Sequence, residues 1–251
     1  MAKFNQIESE TEITVAAIIP VFKDDRIDAA VRGLINQVVP FDRIIIQDPV
    51  GNYGYLEKLS ENIIVNNDSD NGLFDGIDKC LDKYEFDYYF LQGADDIVLD
   101  CEFVKKFKSL NTMPDIFFGR IKIVSDQVAR FWPFGTLISM GLVLPPHFGS
   151  IYKRELLLNH RMRDFAIDGN VGADSAWFYT LDLKALRLLY TDDVTFSMAA
   201  GGISNNGFAS PMKNLICMER KIRSAGGNSF ISVFKYFIAS FIKLFFVRKL
   251  K

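Results

Sequence analysis

Tyr88-Tyr89-Phe90-Leu91-Gln92-Gly93-Ala94-Asp95-Asp96 runs from large apolar side chains straight into two adjacent carboxylates. An unbroken apolar run does not alternate between core and solvent, so it reads as a strand buried on both faces of a parallel sheet. Gly93 and Ala94 keep the following loop slim. Asp95 and Asp96 are thereby presented at the carboxyl edge of the sheet, where open α/β folds bind ligands. Two hard oxygen donors at such an edge suit Mg²⁺ or Mn²⁺, which complete their coordination with water and substrate phosphates. The alternative is that Asp95 caps the segment after it.

Outward from this run the pattern is alternating. Residues 14–21 form a buried strand closed by Pro20, and 25–38 carry Ile27, Ala30, Val31, Leu34 and Ile35 at helical spacing. Strands follow at 43–47 and 62–65, with a helix at 71–84 between the latter and the strand at 88–92. Strands alternating with helices predict a parallel, doubly wound α/β sheet. Beyond Asp100 the pattern changes: strands are expected at 116–124, 127–132 and 149–152, and helices at 153–159 and 173–185. Neither a linker rich in Pro, Gly or Ser nor an internal repeat interrupts the chain.

The 251 residues are 49% apolar, enough for a substantial core, and the net charge of −2 supplies no basic field for nucleic acid. Cys80, Cys101 and Cys217 show no framework or CxxC spacing, which fits a reducing cytosol. Residues 1–8 lack the apolar core of a signal peptide, so a cytoplasmic location is expected.

Four constellations bear on chemistry. At the first strand's exit, Ile19-Pro20-Val21-Phe22-Lys23-Asp24 places Pro20, which has no N–H, where a ladder ends; the backbone beyond it either simply leaves the sheet or lies against a nucleotide base. Asp48 ends the second strand before Pro49-Val50-Gly51-Asn52-Tyr53-Gly54; its carboxylate either accepts from a base or ribose, or forms an Asx-turn onto its own loop. In Asp70-Asn71-Gly72-Leu73-Phe74-Asp75-Gly76-Ile77-Asp78-Lys79, Asp70 or Asn71 can cap a helix. Asp75 and Lys79, four apart, make either a solvated ion pair or a nucleotide-facing one. Asp174 lies near a helix start in Gly172-Ala173-Asp174-Ser175-Ala176-Trp177-Phe178, as a cap or as a general base. His147 is either structural or a ligand for an acceptor hydroxyl, and the glycines of Gly201-Gly202-Ile203-Ser204 permit close backbone approach. Asp192-Asp193 is a second acidic pair before a strand entry at 194–198 and a lesser candidate for a metal. GxGxxG, a Walker A loop, GxSxG and HExxH are all missing, which counts against dinucleotide oxidoreductases, P-loop NTPases, α/β-hydrolases and zincins.

Taken in order over residues 14–206, these pieces resemble the inverting family 2 glycosyltransferases of GT-A fold, in their bacterial polysaccharide branch. Ile19-Pro20-Val21-Phe22 resembles that branch's first-strand exit, and Asp48-Pro49-Val50-Gly51 a divergent Asp-Gly-x-Ser/Thr loop. Residues 70–80 match a motif of the type Asp-x-Gly-Ile-Tyr-Asp-Ala-Met-Asn-Lys-Gly. Gly93-Ala94-Asp95-Asp96 corresponds to the sugar-nucleotide metal motif, His147-Phe148 to a His-Gln segment, Ala173-Asp174-Ser175 to an Ala-Asp-Tyr-like segment and residues 201–204 to Gly-Gly-Val-Ser. Departures are specific: Phe148 replaces Gln, Asp78 replaces Asn, and Gly93 stands where many relatives place the first acid of Asp-x-Asp.

The resemblance implies a Rossmann-like, mostly parallel sheet with a mixed acceptor-side half and C-terminal helices. Residues 1–227 would form one domain, with 10–100 the nucleotide-binding half and 101–227 the acceptor half, and 228–251 an amphipathic helix. It implies metal-assisted displacement of a sugar from a nucleotide-diphosphate donor, a UDP-sugar above others, onto a hydroxyl of a growing, lipid-linked cell-surface polysaccharide such as O-antigen or capsule. Asp95 and Asp96 would hold Mn²⁺ or Mg²⁺. Pro20, Val21, Phe22, Asp48, Asp75, Lys79, Ala94 and Asp95 would contact the nucleotide; His147, Gly202 and Ser204 the acceptor; and Asp174 would be the base. Two rivals remain: a degenerate glycan- or partner-binding protein of the same fold, and a sugar-nucleotide nucleotidyltransferase, which needs a Gly-rich basic loop where this chain has Lys23-Asp24-Asp25-Arg26.

Residues 230–247 are crowded with Phe and Ile, and Ser232, Lys235, Ala239 and Lys243 form a narrow polar stripe ending in Arg248-Lys249-Leu250-Lys251. This predicts an interfacial helix on the cytoplasmic face of the inner membrane, or a helix packed on the core or on a second subunit in a homo-oligomer.

Overall fold

The computed structural model describes residues 12–124, 129–132, 144–166, 172–199, 210–224 and 234. The expected elements at 201–206 and 228–251 lie outside the described residues, apart from Phe234.

The first hundred residues form β1 (Val15–Pro20), α1 (Ile27–Ile35), β2 (Arg43–Gln47), a 3₁₀ turn (Gly54–Leu59), β3 (Ile63–Asn66), α2 (Leu73–Lys83), β4 (Tyr88–Leu91) and β5 (Ile97–Val98). After α3 (Phe103–Lys108) come β6 (Ile116–Val124), β7 (Ala129–Trp132), β8 (Ser150–Lys153), α4 (Arg154–Asn159), a 3₁₀ turn (Met162–Phe165), α5 (Ala173–Thr180), β9 (Leu188–Ala199) and α6 (Ser210–Ser224). One nine-stranded sheet runs through them in the order β3-β2-β1-β4-β8-β6-β9-β5, with β7 paired on β6. The β3-β2-β1-β4 half is parallel. β8 pairs antiparallel with both β4 and β6, and β9 runs parallel to β6, giving the expected mixed half.

Both faces of the parallel strands are buried, and they alternate residue by residue. Ala16, Ile18 and Ile45 enter the core under α2, α4, α5 and α6; Val15, Ala17, Ile19, Ile44 and Ile46 enter the core under α1 and α3. This is why the strand segments contain no alternating polar positions. α1 buries Ile27, Ala30, Val31 and Leu34, the i, i+3, i+4, i+7 stripe of an amphipathic helix. Six phenylalanines, among them Phe90, Phe103, Phe117 and Phe196, fill the second core. Each fully buried ring contributes about 1.5–3 kcal/mol.

Several expected boundaries move for physical reasons. α1 ends at Ile35 rather than 38, because Val38 N–H donates to Cys101 O at 2.8 Å and Gln37 bridges Asp100 O and Val104 N–H. α5 stops at Thr180, where Leu181 turns extended and Asp182 accepts from Lys184 N–H. Asp192 and Asp193 do not precede a strand; they sit inside β9, where its register against β6 shifts. β5 and α3 went unrecognised in the sequence, the first because two residues carry no periodicity.

Gly149 makes the junction between halves. Its φ of +83° favours glycine, and a Cβ there would lie 2.7 Å from the Phe196 ring. Its N–H donates to Leu91 O, so β8 begins beside the end of β4.

Candidate active site

β1 leads through α1 to β2 on one side, whereas α2 carries the chain from β3 back across to β4 on the other. The order therefore reverses between β1 and β4, and the crevice outside their carboxyl ends is where such sheets take ligands. The exits of β1, β2 and β4 and the start of β8 all open there.

At the β1 exit, Val21 is buried, with its N–H on Gln47 O at 2.9 Å, and Phe22 is 68% exposed. Lys23 follows at φ 50°, a left-handed conformation that turns the loop sharply. Asp24 then receives Arg26 as a fork, Nε at 2.8 Å and Nη2 at 2.6 Å, which holds the Asp24 carboxyl below the usual carboxylate range.

Asp48 takes the Asx-turn alternative. It is fully buried and accepts from the backbone N–H groups of Val50, Gly51 and Tyr53 at 3.2, 3.0 and 2.8 Å. Its carboxylate thus folds the 49–53 loop. Beside it, Gln47 donates to Asp68 O and Asp70 Oδ2 and accepts from Asn66 at 2.6 Å, tying the ends of β2 and β3 to the entry of α2.

The α2 entry corrects the capping expectation. Gly72 is the N-cap residue, with no side-chain cap; Asp70 Oδ1 accepts from Gly72 N–H and Asp75 from Asn71 N–H. Asp75 and Lys79 pair at 3.0 Å on a half-exposed face, and Arg163 approaches Asp75 at 3.8 Å. Asp78 is buried: Oδ2 accepts from Arg163 N–H at 3.2 Å, and Oδ1 has no hydrogen-bond partner among the described residues.

The loop after β4 is tight. Gln92 donates to Asp96 O at 3.0 Å and Asp96 N–H to Gly93 O at 3.3 Å. A Cβ on Gly93 would stand 2.7 Å from Asp96 Oδ2 and 3.1 Å from Asp95 Oδ1. Both carboxylates therefore converge over one bare backbone position, and any side chain at 93 would displace them. Asp96 is buried, whereas the Asp95 side chain is 27% exposed and meets Arg26 Nη1 at 3.4 Å. No cluster of three or more His, Cys, Asp or Glu exists among the described residues. Two carboxylates suit an ion whose remaining ligands are phosphate and water. Of the rival pair, Asp193 is engaged by Lys106 at 2.6 Å.

His147, just ahead of β8, is 7% exposed, and neither ring nitrogen has a hydrogen-bond partner among the described residues. Rings of Phe74, Phe148, Tyr152, Trp177 and Phe178 surround it at 4.8–6.4 Å between centroids. Burial pushes its pKa down, opposed by the neighbouring Asp174 carboxylate, so the imidazole is neutral. Asp174 is half-buried in the first turn of α5, after Gly172 at φ 72°. His147 thus lies within the electrostatic reach of Asp174, with no hydrogen bond between them among the described residues. Gly202 and Ser204 lie outside the described residues. The sequence reading passed over Arg26, Tyr53 and Gln47 as site residues; only a basic residue four beyond Phe22 signalled the first.

No protein-family model and no curated protein matches the chain. Solved structures do. S. aureus TarS 1-349 aligns at 14% identity with a TM-score of 0.60, covering 91% of this chain and 72% of that one. The same protein in complex with UDP-GlcNAc gives 13% and 0.57, with 83% of this chain covered. The chain spans 65% of the length of that structure. A mannosyltransferase from Pyrobaculum calidifontis, in complex with GDP-Man and Mn²⁺, aligns at 15% identity and 0.58, covering 92% and 74%. The likeness is one of fold: an α/β architecture of GT-A type.

Proposed function

We propose that this chain is a metal-dependent, inverting glycosyltransferase that moves a hexosyl group from a nucleotide-diphosphate donor, UDP-linked by preference, to a hydroxyl. The observation that carries the reading is the convergence of Asp95 and Asp96 over Gly93 at the switch point of the sheet. Solved structures of the same fold that bind UDP-GlcNAc, or GDP-Man with Mn²⁺, support it.

Asp95 and Asp96 would hold Mn²⁺ or Mg²⁺, which when bound offsets charge gathering on the departing diphosphate. Phe22 offers an exposed ring to the base, and Asp48 shapes the loop beside it. Asp75, Lys79 and Ala94 would contact the nucleotide. His147, neutral and with both nitrogens unpartnered, fits an acceptor hydroxyl as donor or acceptor. The Asp174 carboxylate takes the proton of that hydroxyl as its oxygen bonds to the anomeric carbon. The bond to the nucleotide breaks on the opposite face, its electron pair leaves with the diphosphate, and the configuration inverts. The order of motifs supports family 2 and its polysaccharide branch, with a lipid-linked acceptor reached from the cytoplasmic membrane face through residues 230–247.

The test is turnover: UDP-glucose, UDP-GlcNAc, UDP-galactose and GDP-mannose, each with Mn²⁺, read by release of nucleoside diphosphate. One donor is expected to turn over, and Asp174→Asn to slow it by about 10²–10⁴-fold without weakening donor binding. Equal rates in the variant would remove Asp174 from its role.

A further inference from the structure

Arg26 reaches one of the two candidate metal carboxylates, Asp95. Its guanidinium spends Nε and Nη2 on Asp24, and its backbone N–H binds the same carboxylate at 3.1 Å, so the plane of the fork is fixed. Nη1 points the other way. It approaches Asp95 Oδ2 at 3.4 Å, an ion pair too long for a good hydrogen bond. The side chain is 59% exposed and stands on the loop after β1. A guanidinium has five N–H donors matched to phosphate oxygens, and here most of the Nη edge is unspent.

The acid count around it is unusual. Gly93 supplies no carboxylate, so Asp95 is shared between the cation that would sit over Gly93 and the guanidinium of Arg26. Asp95, if it also helped to hold a divalent ion with Asp96, would give up part of its long ion pair with Arg26, and Nη1 would then be available to a phosphate oxygen. Lys would not substitute fully, because a point charge lacks the fork that Asp24 orients.

We propose that Arg26 is a diphosphate-binding residue that competes with the divalent cation for Asp95 and offers its outer guanidinium edge to the nucleotide's phosphates. The inference rests on the donor-site reading above. It gives the leaving group a fixed organic cation beside the metal, on the loop after β1.

The experiment is calorimetry on the full chain, wild type against Arg26→Ala and Arg26→Lys, with MnCl₂ alone, and with UDP, GDP, UMP and GMP in the presence of Mn²⁺. Arg26 is exposed, so both variants are expected to fold, and a melting curve for each checks this. Removing a charge-assisted contact is expected to cost Arg26→Ala about ten- to a hundredfold in affinity for the diphosphate that wild type binds, with a smaller loss for the monophosphate and partial recovery in Arg26→Lys. Mn²⁺ alone is expected to bind Arg26→Ala more tightly than wild type. Unchanged diphosphate affinity, or an equal loss for mono- and diphosphate, overturns the role of Arg26 while leaving the donor site standing. Absence of any nucleotide binding in wild type overturns the donor site, and the inference with it.

Discussion

Asp78 carries a carboxyl group into the interior against α2, and the surroundings return little to it. Burial pushes its pKa up to about 6, against the partial relief of Arg163 N–H and the nearby Arg161 and Arg163. In the unfolded chain it titrates at the ordinary carboxylate value of 3.8, so the native state holds the extra proton between about 4 and 6. Stability is therefore highest with respect to this group below the lower value and is lost as pH rises through the upper one. The full cost at neutral pH is about 3 kcal/mol. Asp78→Asn keeps an acceptor for Arg163 N–H and removes the charge. Its melting temperature relative to wild type is expected to rise by several degrees between pH 4 and pH 7.5. A difference independent of pH would show that Asp78 is not charged at a cost. The position of Asp95 and Asp96 at the end of a buried strand was legible, because an apolar run that breaks into acids marks where the chain leaves the sheet. It left Asp48 ambiguous, since one carboxylate serves an Asx-turn or a ligand equally well until its three N–H partners are located. Arg26 escaped notice because its contact with Asp95 spans α1, β2, β3, α2 and β4 of intervening chain.

At the scale of elements, the parallel strands and α1, α2 and β6 follow directly from periodicity, since their faces are buried in the pattern their side chains announce. The second half was less legible. β9 accommodates Asp192 and Asp193 only through its register shift on β6, and the pocket around His147 draws rings from α2, β8 and α5 together. Such convergence has no local signature. The segment 230–247 is an element of a different kind, whose character comes from sequence alone: apolar bulk with a polar stripe and a terminal cluster of Arg248, Lys249 and Lys251. Among the described residues no helix is long and apolar enough to cross a membrane. Flotation with vesicles containing anionic lipid is expected for the full chain and not for a chain ending before Phe230. Equal flotation would assign the segment to a protein surface instead.

The whole molecule joins a nucleotide-type parallel half to a mixed half at the β4–β8 seam, and the proposed chemistry is divided along it. In that proposal base and diphosphate would lie at the exits of β1, β2 and β4, and acceptor and proton transfer would fall to His147 and Asp174 across the seam. Gly149 allows this by bringing β8 against Leu91 under the Phe196 ring. Both halves stand on the claim that a nucleoside diphosphate and a divalent cation meet at Asp95 and Asp96. Thermal stability measured against UDP, GDP, dTDP and CMP, each with and without Mn²⁺, in wild type and in the double variant Asp95→Asn/Asp96→Asn, tests that claim. A ligand at about a hundred times its Kd adds roughly 2.7 kcal/mol. The expected result is a Mn²⁺-dependent stabilisation by one nucleoside diphosphate that disappears in the variant; no stabilisation by any of the four, or one that survives loss of both carboxylates, would contradict it.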